Sequence, residues 1–434
     1  MTYLSAAPGE LRRSERRRAW GSSLPSLPML VLLGSVCFNA VLAVANGHVK
    51  ALPPALVIAA EATFVAAALC VALSKWRAEM APVAALIGIL ILFALIRGAA
   101  TGSIEPKYLR DTLLIPTFLL LGMAAGTRDL ARTVLIVHGV VFAVFLLEAL
   151  APGVYAELFR IQDYYINTRG NSADEFYNSN SDLFISATRP NARFLPFIDE
   201  ARLSSIFLEP VSLGNYCAII VAYLTSSFRR YSKLAIGFFA FSTILMLMGC
   251  DGRFALVCSI LIGLVALLSP RLPPHSAIVY LPGVTILVFL IIGRAAIQDG
   301  GDDFLGRIAH TKDLLLQYGT LEYLGISNKF MDEAVDSGVA YLILTQSLAG
   351  LAVLWTFIAW APQERTREQV RYTHSICLYL ALSMLVSYSF LTIKTGALLW
   401  YIQGALQIGN RQSSTLARRA LDRSGSSLQK RERP

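Results

Sequence analysis

Apolar runs recur along almost the whole chain, separated by short charged connections, and this pattern leaves few folds open. The runs are Met29–Ala45, Leu52–Leu73, Ala81–Ile96, Thr112–Ala125, Thr133–Leu150, Pro210–Phe228, Leu234–Met248, Phe254–Leu268, Ala277–Gly293, Gly338–Trp360, Ser375–Leu391 and Thr395–Ile408. Several approach the ~17–25 residues that a tilted helix needs to cross the hydrocarbon. Inside lipid the backbone must satisfy its own polar groups, which makes helices the default. The chain is 55% hydrophobic and 15% charged, against about 25% charged in soluble domains. The expected fold class is therefore all-α: a polytopic integral membrane protein of about 12 transmembrane helices.

Lys and Arg set the expected orientation. Short connections carry Lys75 and Arg77, Arg229, Arg230 and Lys233, and Arg365, Arg367 and Arg371. With those inside, both termini are cytoplasmic. The layout is then a basic N-terminus over residues 1–26, a membrane domain over 27–409 and a basic tail over 410–434. Two long loops, 151–209 and 294–337, fall outside. The basic flank before Ala43-Val44-Ala45 also fits a signal peptide, and the topology holds either way. The net charge of +9 resides largely in these topology signals, which suit anionic lipid rather than nucleic acid.

Metal chemistry has little support. The six cysteines lie in or beside apolar runs with no CxxC spacing, so they act as small hydrophobes. Asn178, Asn180 and Asp182 begin like a calcium loop, but Leu183 replaces its glycine and Arg189 its final glutamate. No metal and no cofactor is expected. Glu61 and His138 fall within apolar runs and are candidates for an internal polar pair.

The longest non-apolar stretch runs from Tyr164 to Tyr216 and ends in Arg202-Leu-Ser-Ser-Ile-Phe-Leu-Glu209-Pro210. Arg110, Arg160, Arg169, Arg189, Arg193, Arg202, Arg253, Arg294 and Arg307 all sit on the outer side, against the usual charge bias. A guanidinium fork matches phosphate oxygens, so a membrane-level phosphate or diphosphate site is one reading. Local pairing, Arg110 with Asp111 or Arg253 with Asp251, is the other. Arg202, Arg253 and Arg307 all lie near span ends, which favours the site. Proline suits the first turn of a helix, and it places Glu209 at the positive end of that helix. Gly214 and Asn215, one turn in, would let another group approach. In the second loop, Asp303, Arg307 and His310 share a face if residues 303–316 are helical. Imidazole is a common general base near neutral pH. The aromatics Tyr155, Phe159, Tyr164, Tyr165, Phe176, Tyr177, Phe184, Phe194 and Phe197 suggest a packed lid or a sugar-binding surface.

Taken with the membrane architecture, Arg202…Glu209-Pro210…Gly214-Asn215 resembles the O-antigen ligase and Wzy-type polysaccharide polymerase superfamily. Asp251-Gly252-Arg253 looks like that group's short turn between the next two helices. Asp336-Ser337-Gly338, followed by an apolar helix with Gly350, looks like its later loop-to-helix junction. The resemblance covers about Arg97 to Trp360, and length and layout look like the xanthan-type polymerases. It implies a metal-independent, GT-C-like membrane glycosyltransferase in a bacterial inner membrane. That enzyme would polymerise polyprenyl-diphosphate-linked oligosaccharide repeats at the outer face, with a chain-length regulator and export machinery as partners. A ligase using another acceptor, or a polytopic transporter or flippase, is the alternative. A diphosphate leaving group needs charge neutralisation, which Arg110, Arg202, Arg253 and Arg307 can supply without metal. The attacking hydroxyl needs a base, for which Glu209 and His310 are the candidates; His310 matches the ligases' catalytic histidine by position only.

Overall fold

A computed structural model describes residues 25–170, 202–292, 304–360 and 366–408. Among them the secondary structure is entirely helical. The helices are α1 (Leu27–His48), α2 (Pro54–Ser74), α3 (Ala81–Thr101), α4 (Pro106–Ala125), α5 (Leu130–Leu150), α6 (Pro152–Phe159) and α7 (Ile161–Arg169). After them come α8 (Pro210–Ser227), α9 (Lys233–Gly249), α10 (Arg253–Leu268), α11 (Tyr280–Ile292), α12 (Phe304–Gln317), α13 (Gly338–Trp360) and α14 (Arg367–Ser383). The last, α15, covers 393–408. Among the described residues, nine helices are long and apolar enough to cross a membrane. The protein is a multi-pass membrane protein.

Local sequence explains many of the helix ends. Proline opens α2, α4, α6 and α8, where its fixed φ fits and its missing N–H is not needed. Gly102, Gly126 and Gly170 end α3, α4 and α7 at positive φ, the conformation that helix stops favour.

Burial sorts the helices into walls and a centre. On α2 only Ala68, Val71 and Ala72 are buried. Large apolar side chains such as Ile58, Ile260, Leu267 and Leu290 are exposed, as a lipid-facing surface requires. By contrast, every residue of α15 is buried. A helix buried on all sides belongs to the interior. It crosses α4 at backbone contact: a Cβ on Gly122 would lie 2.0 Å from the Tyr401 carbonyl oxygen, and one on Gly404 2.0 Å from that of Leu119. Small residues permit such approaches between membrane helices. Gly122→Ala or Gly404→Ala must force the two backbones apart. Each is expected to destabilise by more than the ~1–3 kcal/mol of ordinary overpacking, read as a lower melting temperature in detergent.

Two sequence expectations change here. The run Ser375–Leu391 is not one helix. The helix is Arg367–Ser383, and 384–388 is irregular. Neighbours take its freed carbonyls: Val339 N–H donates to Met384 and Thr311 Oγ1 to Leu385. Non-helical backbone at membrane depth is tolerated where protein satisfies it. The second change concerns the loops. Residues 151–170 form α6 and α7, and 304–317 form α12, so much of both long connections is helical.

Candidate functional site

Six charged side chains from four helices and one helix entrance meet at one end of the bundle. Glu209 sits in extended conformation immediately before α8. Arg169, the last residue of α7, donates to its Oε1 at 2.6 Å, and Tyr165 Oη donates to the same oxygen at 3.0 Å. Lys394, in the first turn of α15, donates to Oε2, as does Ser212 Oγ at 3.0 Å. Both carboxylate oxygens are thus occupied. Burial alone would raise the carboxyl's proton affinity; the Lys394 and Arg169 charges, with hydrogen bonds from Lys394 and Ser212, outweigh it and hold the pKa well below the usual carboxylate range. The Arg169 guanidinium also lies 4.4 Å over the Tyr165 ring, and the nearby Glu209 charge favours its charged form although burial opposes it.

The second half of the cluster is built on α4. Arg110 donates to Glu61 of α2 and, through Nε and Nη2, to Asp111 Oδ1 at 3.0 and 2.7 Å. Asp111 is buried, and its other oxygen accepts from Tyr341 Oη of α13 at 2.7 Å. Tyr341 lies between two rings: Tyr108, edge-on at 5.9 Å, and Tyr388, stacked at 5.2 Å. Tyr388 feels the charges of Asp111, Arg169, Glu209 and Arg110, so the two halves form one site. Three carboxylates face three cations, and the formal charges cancel.

The described candidate residues each have a definite place. Glu209 is the hub of the cluster, and Arg110 is in it, making the local pair with Asp111. Arg202 is buried, its Nε donating to the Cys250 carbonyl at 2.9 Å. It therefore holds the 250–253 turn, next to the exposed Arg253 at the start of α10. Gly214 faces that turn, as its lack of a Cβ allows, and Asn215 donates to Ser389 at 2.8 Å. Arg307 reaches Asp336 and the Val386 carbonyl at 3.5 Å, along the segment that carries Tyr388. His310 lies apart on an exposed face of α12, its Nε2 donating to the Glu333 carbonyl at 3.0 Å. No contact among the described residues joins it to Glu209. Asp303 lies outside the described residues.

Other expectations need correction. Glu61 and His138 are not a pair: Glu61 binds Arg110, and His138 binds Tyr216 at 3.1 Å and Ser242 at 2.6 Å. The loop aromatics that are described form no open sugar surface. Tyr155, Phe159, Tyr164 and Tyr165 are buried, with Tyr155 bound to the Ser205 carbonyl and Tyr164 to Asn39. Phe176, Tyr177, Phe184, Phe194 and Phe197 lie outside the described residues, as do Arg189, Arg193 and Arg294.

Sequence reasoning passed over four contributors. Lys394 was hidden at the edge of an apolar run, and Arg169 was one of many loop arginines. Glu148, at the end of α5, accepts from the Ser204 and Ser205 N–H groups at 2.8 and 2.6 Å, fixing the turn that leads into Glu209. Ser205 and Leu208 in that turn both take positive φ, a strained conformation costing about 1–3 kcal/mol each. The fourth is Arg97 of α3. α13 is broken at Ser347, which has φ +68. Arg97 Nε caps the freed Leu344 carbonyl at 3.0 Å, and its Nη2 binds Asn328 at 2.6 Å. The only signal for this break was the Gln-Ser pair inside an apolar run.

Comparison with known proteins gives no match: no family model, no curated protein and no solved structure matches this chain.

Proposed function

We propose that the protein is a membrane polysaccharide polymerase. In this reading it transfers glycan from a polyprenyl diphosphate carrier to a second lipid-linked repeat unit at the outer face of a bacterial inner membrane. All twelve apolar runs then contribute membrane-crossing segments, and both termini are cytoplasmic.

The observation that carries the reading is the convergence of cations and tyrosines at one bundle end. The six-charge cluster is neutral as it stands, so it preorganises its cations rather than attracting phosphate strongly. A diphosphate would engage the groups at the rim: Arg169, whose side chain is 49% exposed, with Arg253, Arg307 and the exposed Lys107. Arginine forks can neutralise a leaving diphosphate. The half-buried Tyr108 and Tyr388 flank Tyr341 and offer aromatic surface for a sugar. Helix α2, exposed along most of its length, is a lipid-facing wall beside the site, which suits substrates that arrive in the membrane plane.

The proposed alternation is consistent with the contacts. Glu61, Arg110, Glu209, Tyr341 and Lys394 all lie on the segments that this topology puts outside or in their outer halves. At the opposite end, Arg230 pairs with Glu368 at 2.5 Å. Cysteines placed at the exposed Ser103 and Ser232 of a cysteine-free variant test the orientation in intact cells. Ser103→Cys should react with an impermeant maleimide and Ser232→Cys should not; the reverse pattern would place the cluster in the cytoplasm.

A transporter is the second reading, favoured by the break in α13, since transporters bind cargo at interrupted helices. Lipid-linked glycans from a deletion strain separate the readings. Accumulated single repeat units outside support a polymerase, long unattached chains a ligase, and repeat units retained inside a flippase.

A further inference from the structure

We propose that Glu61 accepts the proton from the attacking sugar hydroxyl. This inference rests on the polymerase reading above. It begins from a count of what each carboxylate in the cluster already holds. Glu209 accepts from four side chains, Arg169, Tyr165, Lys394 and Ser212. Asp111 accepts twice from Arg110 on one oxygen and from Tyr341 on the other. Glu61 accepts only from Arg110, through Oε2. Among the described residues its Oε1 has no partner. Of the three, Glu61 is therefore the carboxylate with a lone pair open to a newcomer.

Its position fits the task. Glu61 is seven residues into α2, about 10 Å along the helix from Pro54. The side chain is 19% exposed, and α2 packs on α4 while most of its surface faces outward. A hydroxyl carried on a lipid-linked repeat would meet this carboxylate at the lipid edge of the site. Glu61 also lies within range of the Arg110, Asp111, Lys394 and Arg169 charges, and its contact with Arg110 ties it to the cluster. Arg110 orients it, as a fixed partner orients a general base in other active sites.

The step balances without any further reactant. The acceptor oxygen bonds to the anomeric carbon of the donor sugar. The bond from that carbon to the diphosphate oxygen breaks, and the polyprenyl diphosphate leaves with the electron pair. The hydroxyl proton passes to Glu61 Oε1 and is released to water once the product departs. The rim arginines carry the charge that develops on the leaving group.

The test uses full-length protein in nanodiscs. Its substrate is the lipid-linked repeat fraction extracted from cells lacking the protein. Wild type must first lengthen these repeats; if it does not, the polymerase reading falls, and this inference with it. Glu61→Gln keeps an oxygen for Arg110 but loses basicity. It is expected to slow chain growth by ~100-fold or more, the usual scale of general-base loss. Its melting temperature and its affinity for geranylgeranyl diphosphate should stay at wild-type values. Glu61→Asp keeps the charge and shortens the reach, so it should retain partial activity with a displaced acid limb in its pH–rate profile. Should Glu61→Gln fail to accumulate, Glu61→Asp decides alone. Wild-type rates for Glu61→Gln, or an unmoved acid limb for Glu61→Asp, would overturn the assignment while leaving the polymerase reading intact.

Discussion

Glu209→Ala is expected to cost about 3–5 kcal/mol of stability, because it strands the buried Lys394 without a counter-charge. Lys394 is only 4% exposed, and α15, which carries it, is the buried centre of the bundle. Losing one member of a desolvated pair leaves the full desolvation penalty of the other. Lys394→Met should be milder, since Glu209 keeps Arg169, Tyr165 and Ser212. The double variant Glu209→Gln with Lys394→Met removes both charges and should recover much of the loss. A double-mutant cycle on melting temperatures, with Glu209→Gln and Lys394→Met made singly and together, measures the coupling. Additive losses would show that the two residues do not share a buried interaction.

The pH dependence follows from the same contacts. The folded-state pKa of Glu209 is depressed from its ordinary value of 4.5. Its contribution to stability is therefore complete above that value and disappears as pH falls through the folded-state pKa. Mild acid should leave the cluster intact. The same depression makes Glu209 a poor proton acceptor, since a base works best with a pKa near the working pH. Activity that persists into mild acid would thus say nothing in favour of Glu209 as the base. The carboxylate that the motif highlights is better understood as the anchor for two cations.

How far the sequence could be read differs between fold and site. Apolar runs report lipid exposure and burial alike, so run counting located the long apolar helices but not α6, α7 and α12, which lie in the two long connections. It failed at 384–388, because composition cannot distinguish a helix from irregular backbone whose carbonyls are taken by neighbours. It also missed the break at Ser347, where the compensating group, Arg97, lies 250 residues away in the chain. The site was legible wherever its signal was local. Glu209-Pro210 marks a helix entrance on chain grammar alone, and the Arg110–Asp111 pair was the simpler of two readings. Lys394 and Arg169 were not legible as members, because their role exists only through contact with Glu209. His310 shows the opposite error: the expected helix is there, but His310 bonds to the Glu333 carbonyl on an exposed face, while Arg307 of the same helix reaches Asp336 and the Val386 carbonyl.

On the polymerase reading proposed above, Arg169→Ala is expected to reduce chain growth by ~100-fold while the protein still accumulates, on the scale of a lost oxyanion donor. Arg169 is the most exposed cation of the cluster, and Lys394 continues to hold Glu209 in its absence. The two effects, on rate and on stability, therefore separate. Arg169→Lys should rescue only in part, because an ammonium supplies the charge without the two-pronged geometry. Arg202→Ala is the contrasting variant. Arg202 is 3% exposed and holds the Cys250 carbonyl, so its loss should appear first as less protein in the membrane. Dividing chain growth by membrane protein level discriminates the two. If Arg169→Ala polymerises normally per molecule, Arg169 plays no part in neutralising the leaving diphosphate, and Arg253, Arg307 and Lys107 would have to carry that charge without it.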